Sequence, residues 1–351
     1  MSALPSALQA PQGVGEAPVA DLRRLGAREA VAQGGFRVVA AVDSTPEAGA
    51  VARHGMAMAR LLRTGVTLLR VLEVDHGGTR PPDPVAWSLR QQQARAELSA
   101  LCAAGDVPVR LDVAEGRVVE ECSREAAALE ADLLVIGSRC PQRTGLGTLG
   151  STARRLLERG DLNLMLVPPG AAPFGEGLEP ARILVPLDGS AWSETALPLA
   201  IRLARGAGAA LHLVHAVEMP DLPTLHPPEA DDLQLVDLLM ARALRRGEAF
   251  LARKRELLAD QGLAVETNLC PVEDVRLAIC DLARRHRTGL ILLAARGAGR
   301  TRLAGLGFGH VTGWLAANCQ QPVLVVGSAA RRPPAGRRAN GGPPPRRRAS
   351  W

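Results

Sequence analysis

The chain repeats itself. An apolar run ending in Asp, RVVAAVDST from Arg37, is answered by RILVPLDGS from Arg182, and the helical stretches PEAGAVARHGMAMARLL and SETALPLAIRLARGAG follow them. Second strands VTLLRVLE and ALHLVHAVE come next, then a spacer with helical periodicity, then VPVRLDVAEG against LAVETNLCPV, with helices from Val118 and Asp274. DLLVIGSRC and GLILLAARG run straight into glycine-bearing loops, and LNLMLVP and PVLVVG close the two halves. Gly150 precedes Val167 by 17 residues, and Gly309 precedes Val326 by the same 17. A repeat on this scale sets the domain count before any local signal does. The order β-α-β-α-β-α-β-α-β, with apolar strands and long crossovers, predicts an α/β fold in which each half is a five-stranded, doubly wound parallel sheet with helices on both faces. The expected layout is a disordered lead-in over 1–35, domains at 36–170 and 181–328, a Pro/Gly linker at 171–180 and an Arg/Pro-rich disordered tail at 329–351.

Composition agrees with two cores of ordinary size. The chain has 351 residues, 47% hydrophobic and 22% charged, with four Trp, four Phe and no Tyr, so Leu, Val, Ala and Ile must fill the interior. No uninterrupted apolar stretch is long enough for a membrane span, and the first 35 residues carry no signal-type apolar region, so the expectation is a cytoplasmic protein. The net charge of +6 is a property of the end of the chain: the tail holds Arg331, Arg332, Arg337, Arg338, Arg346, Arg347 and Arg348, and without them 35 basic residues face 36 acidic ones. Nucleic acid is therefore not expected as a partner, the basic tail apart. Six cysteines show no metal-ligand rhythm and read mainly as small core residues, and His212 and His215, three apart on a strand, point to opposite faces and should not share a metal.

At ILVPLDGSAWSETAL, residues 183–197, and in the loops after the fourth strands, the chain resembles the universal stress protein family, as a tandem member. The resemblance covers both halves. It implies two tandem flavodoxin-like domains, pairing through the last strand, which two domains could satisfy within one chain or in a homodimer, and a role in surviving stress with a protein partner the sequence does not identify. Some members bind ATP, with loop glycines and a Gly-Ser pair on the phosphates and the Asp after the first strand beside the nucleotide; others lack the loop and do not.

On that pattern the first half offers Asp43, Gly137, Arg139, Gly150, Ser151 and Thr152. Gly137-Ser138-Arg139-Cys140, nine residues, then Gly150-Ser151 keeps the family spacing but puts Cys140 where a glycine is usual, and Arg143 adds charge. The second half offers Asp188, Gly189, Ser190, Gly297 and Gly309. Its first loop glycine is Ala294, and eleven residues separate Gly297 from Gly309, which His310 follows; Gly307 would restore nine but is followed by Phe308. Physics gives both loops the same logic, since ligands of open parallel sheets lie where the winding reverses, and a helix N-terminus there carries about half a positive charge. The same glycines also serve as turn and helix-start residues, and an Asp at a strand end also caps helices.

The stretch GLGTLGST, residues 145–152, imitates a P-loop but lacks its lysine; no lysine occurs before Lys254. No nucleophile elbow, dinucleotide fingerprint or His/carboxylate metal pattern is present. The sequence thus points to a stress-response protein that binds ATP or another adenine nucleotide, with Mg²⁺ as the accompanying ion, and that has at most weak ATPase activity. The other reading is a nucleotide-free dimerisation and protein-interaction module of the same fold.

Overall fold

The computed structural model describes residues 37–73, 84–102, 107–138, 149–175, 181–219, 230–298 and 307–327. Arg139, Cys140, Arg143, Gly145 and Gly147, the lead-in and the tail lie outside the described residues. The first half runs β1 (Val38–Val42), α1 (Ala48–Leu61), β2 (Val66–Leu72), α2 (Pro84–Cys102), β3 (Val109–Glu115), α3 (Val118–Ala128), β4 (Leu133–Gly137), α4 (Ser151–Arg159) and β5 (Asn163–Val167). The second runs β6 (Arg182–Pro186), a 3-10 turn (Ser193–Ala196), α5 (Leu197–Ala207), β7 (Ala210–Glu218), α6 (Ala230–Ala259), β8 (Val265–Val272), α7 (Val275–Arg285), β9 (Leu290–Ala294), α8 (His310–Asn318) and β10 (Val323–Val326). No helix among the described residues is long and apolar enough to cross a membrane.

The two expected parallel sheets exist, and they are fused. The strand order is β3-β2-β1-β4-β5-β10-β9-β6-β7-β8, parallel within each half and antiparallel only where β5 meets β10, with Leu164, Met165 and Leu166 opposite Val325, Leu324 and Val323. Strand alternation divides the core into two layers, each continuous across both halves. Val38, Ala40 and Val42 join the layer under α1, α2, α5 and α6; Val39, Leu134 and Ile136 join the layer under α3, α4, α7 and α8.

The seam is tight because glycines line it. A Cβ on Gly206 of α5 would overlap the Leu61 carbonyl oxygen at the end of α1, one on Gly307 would overlap that of Glu158, and one on Gly327 that of Leu162. Asn163 ties the seam further, donating from Nδ2 to the Asp132 carbonyl (2.7 Å) and accepting at Oδ1 from the Gly327 N–H (3.2 Å). Residues 171–175 are packed down as well: Phe174 is buried against Gly289, and the buried His54 ring lies between the Ala50 and Ala172 carbonyls.

Local chemistry explains where helices begin. Pro198, at the first turn of α5, has no N–H to lose there, and the preceding SETA segment takes the tighter 3-10 form. Asp274 caps α7, accepting from the N–H groups of Arg276 (2.8 Å) and Leu277 (3.4 Å). The largest departure from symmetry is α6, which at 30 residues far exceeds α2 at 19.

Candidate functional site

In the first half the winding reverses between β1 and β4, which are sheet neighbours whose chains leave for opposite faces. There the structure brings together Asp43, just past β1, Gly137, the last residue of β4, and Gly150, Ser151 and Thr152 at the start of α4. All five line one cleft of about 410 Å³, with Arg70, Glu73 and Arg90 on its rim. That volume lies in the range of small-molecule sites. Asp43 folds its own turn, one carboxylate oxygen accepting from the Thr45 N–H (3.0 Å) and hydroxyl. Its second oxygen has no protein partner among the described residues. Gly150 is the N-cap of α4 and supplies no side-chain cap, so the first N–H groups of that helix have no side-chain acceptor from it.

Packing does not demand the glycine at 137. A Cβ there would meet only Val51, at 3.8 Å, and the matching residue of the second half is Ala294. Gly150 has φ −58° and ψ 147°, a conformation open to any residue. Both line the cleft, and Gly137 leaves space there.

The second half repeats the architecture and spends its polar groups differently. Its cleft, about 380 Å³, is lined by Asp188, Gly297, Gly309 and His310. Gly309 caps α8 as Gly150 caps α4, which fixes the register that the sequence left between Gly307 and Gly309; Gly307 belongs to the seam. Gly189 has φ +81°, a left-handed turn that accounts for glycine at that position without a ligand. Ser190 is buried, donating its hydroxyl to Asp188 Oδ1 (2.6 Å) and accepting from the Ser193 N–H (3.2 Å). The other Asp188 oxygen accepts from the Ala298 N–H, and a Cβ on Gly297 would collide with it. Burial pushes the Asp188 carboxyl up, but donation from the Ser190 hydroxyl and from the Ala298 and Ser190 N–H groups outweighs it and holds the group below its ordinary value. Asp188, Ser190 and Gly297 thus form a bracket that joins the β6 loop to the β9 loop. At the head of α8, His310 Nε2 lies 3.3 Å from Arg276 Nη1, and the Thr312 hydroxyl donates to the Ala294 carbonyl.

The model of the universal stress protein family matches residues 36–168 and again 180–327. The chain belongs to the universal stress protein family. No curated protein matches it. Among solved structures, a universal stress protein from Archaeoglobus fulgidus superposes with a TM-score of 0.60 at 16% identity, covering 83% of this chain and 98% of its own. A functionally unknown protein from Pseudomonas aeruginosa PAO1 gives 0.56 at 15% identity, covering 84% and 93%. At these identities the likeness is one of fold, and it extends over both universal stress domains.

Outside the two clefts, the second universal stress domain carries a charge cluster that spacing did not reveal. His212 on β7, Glu266 opposite it on β8 and His286 at the end of α7 have ligand-type atoms within 4.8 Å of one another. Arg182 enters the same cluster, its Nε 3.8 Å from Glu266 Oε1, so the carboxylate already faces a cation. His215 turns to the opposite face, Nδ1 2.6 Å from the Leu187 carbonyl oxygen, as strand geometry requires. His212 is buried, its ring centroid 4.4 Å from that of His286. Burial, then the neighbouring His286, with Arg182 adding and Glu266 opposing, push its pKa down to about 4 from the ordinary 6.5. Because the folded value is the lower one, the unfolded chain takes up a proton that the folded chain refuses between those two pH values. Stability should therefore be full above pH 6.5 and drop as pH falls toward 4, a loss that His212→Gln should reduce. Thermal unfolding across that range reads it; identical pH profiles for the two proteins would refute the assignment.

Proposed function

We propose that this universal stress protein binds an adenine nucleotide in the cleft of its first domain and acts by binding, with at most weak hydrolysis. The observation that carries the proposal is the contrast between the clefts. In the first, Gly137 leaves open space, Gly150 lines the cleft, and the Ser151 and Thr152 hydroxyls and the first N–H groups of α4 carry no protein hydrogen bond among the described residues, a donor set suited to phosphate. In the second, Asp188 holds Ser190 as Asp43 holds Thr45, but its remaining oxygen is taken by the Ala298 N–H and Gly297 packs against it. If Mg²⁺ accompanies the phosphates, the oxygen donors at hand are the Ser151 and Thr152 hydroxyls and the Asp43 carboxylate, the hard-ligand type that Mg²⁺ takes. The chain's one lysine, Lys254, is in the second half, so the phosphate charge would lack the lysine on which P-loop enzymes rely.

The last-strand surface that the resemblance assigns to pairing is filled within the chain by β5 and β10, so further self-association would use another surface. With one sheet crossing both domains, occupancy of the first cleft has a rigid path to the second, and the partner that reads it is a protein in the cytoplasm.

Adding ATP, ADP or AMP with Mg²⁺ to the purified protein should raise its thermal stability, by about 2.7 kcal/mol at 100 times the dissociation constant. Gly150→Val should abolish the shift and Gly309→Val should spare it. Both backbones accept valine, with φ −58° and −82°, so each variant should fold. No shift with any of the three nucleotides, together with none released on denaturation, would leave the nucleotide-free interaction module as the reading, with the β5–β10 seam as its basis.

A further inference from the structure

We propose that Cys280 and Cys319 form a redox-active dithiol that hydroperoxides convert to a disulfide, stapling α7 to α8. Their sulfurs lie 2.6 Å apart, although 39 residues separate them in sequence. Cys280 sits mid-way along α7 and is partly exposed; Cys319 caps the end of α8 and is buried. The arrangement gives an outer sulfur that an oxidant can reach and an inner one poised behind it.

The repeat shows that the fold does not require this pair. Residues Val118–Ala128 of α3 and Val275–Arg285 of α7 are helices of equal length in matching positions, which aligns Cys280 with Ser123. The Gly150 and Gly309 caps and the nine-residue helices after them align Cys319 with Gly160. The first domain packs the same two helices together with no sulfur at either place. Cys122, one position away from Ser123, is buried, and burial, with Glu121 beside it, pushes its thiol up to about 12, which leaves it inert. Cys280 moves the other way: the hydrogen bond from Cys319, helped by the Arg284 guanidinium one turn along, outweighs burial and lowers its thiol below the ordinary value. Burial raises the Cys102 and Cys270 thiols.

The chemistry balances with a hydroperoxide as the oxidant. The Cys280 thiolate attacks the O–O bond, the leaving oxygen takes a proton and departs as water or an alcohol, and Cys280 becomes a sulfenic acid. Cys319 attacks that sulfur; the S–S bond forms, the S–O bond breaks, and the hydroxyl leaves as water with the Cys319 proton. Two thiols lose two electrons and two protons, and one peroxide is reduced. A dithiol reductant reverses the change by exchange. Both joined helices begin at the second cleft, where Val275, Ile279, His310 and Val311 form part of its lining, so the staple would fix two of its walls.

The test treats the full-length reduced protein with about one equivalent of hydrogen peroxide, quenches with an alkylating agent and maps the peptides by mass spectrometry. The expected result is a Cys280–Cys319 cross-linked peptide about 2 Da lighter than the two reduced peptides together, formed about tenfold faster than any oxidation of Cys102 or Cys270 and lost on treatment with dithiothreitol. Cys280→Ser copies the residue of the first domain, so it should fold normally and abolish the cross-link. The proposal is overturned if both thiols stay alkylatable after peroxide, if Cys102 or Cys270 oxidises first, or if Cys280→Ser leaves the rate of thiol loss unchanged.

Discussion

Gly206→Val should destabilise the protein by about 3 kcal/mol and divide its unfolding into two transitions. The added side chain meets the Leu61 carbonyl oxygen, which is backbone at the end of α1 and cannot rotate aside. Relief requires α5 to move away from α1, and with it one domain from the other. Valine's better helix propensity than glycine's offsets only a few tenths of a kcal/mol. Gly327→Ala should act in the same direction, because its Cβ meets the Leu162 carbonyl beside the β5–β10 pairing. Gly309→Ala is the control: its Cβ would come no closer than 3.7 Å to the Ala295 carbonyl oxygen. Urea denaturation followed by circular dichroism, and calorimetry for the number of transitions, would measure the effect. A Gly206→Val protein with the wild-type midpoint and a single transition would show that the domains do not depend on this approach.

The repeat was legible because it is local: each strand is a short apolar run, each helix has its own period, and the equal distances from Gly150 and Gly309 to the last strands survive divergence of the residues between them. The same locality makes the meeting of Asp43, Gly137, Gly150, Ser151 and Thr152 in one cleft legible, since a doubly wound sheet forces those strand ends together. Contacts made in three dimensions left no such trace. Nothing in the string shows that Asp188 spends an oxygen on Ala298, a hydrogen bond spanning 110 residues, or that Gly206, Gly307 and Gly327 face carbonyls of the other domain. The cysteines read as core fillers, and Cys122 is one; Cys280 and Cys319 differ because their sulfurs meet between α7 and α8, 39 residues apart in sequence. Arg139 and Cys140, central to the first loop in sequence terms, lie outside the described residues, so the first cleft rests on its glycines, hydroxyls and Asp43.

Lys254→Met should cost about 3 kcal/mol, a large effect for the one lysine among 42 basic residues. Its ammonium, on α6, lies 2.8 Å from Glu194 Oε1 in the 3-10 turn after β6, with the two side chains only 12% and 18% exposed, and 5.4 Å from the centre of the Phe250 ring. An exposed pair would contribute less than about 1 kcal/mol. Here the loss of one partner strands a carboxylate that the packing keeps from water. Arginine should not substitute fully, since its planar fork needs more room than a compact ammonium. The double variant Lys254→Met/Glu194→Gln should be more stable than Lys254→Met alone, because it removes the stranded charge together with the pair. Denaturant unfolding of the wild type, both single variants and the double variant closes the cycle. A cost below about 1 kcal/mol for Lys254→Met, or strict additivity of the two changes, would mean that the pair behaves as a surface contact. Ser193, beside Glu194 in the same turn, accepts from the Asp188 N–H, so the ion pair also braces the Asp188 loop from behind. Its removal should therefore loosen the second cleft and leave the nucleotide response of the first unchanged.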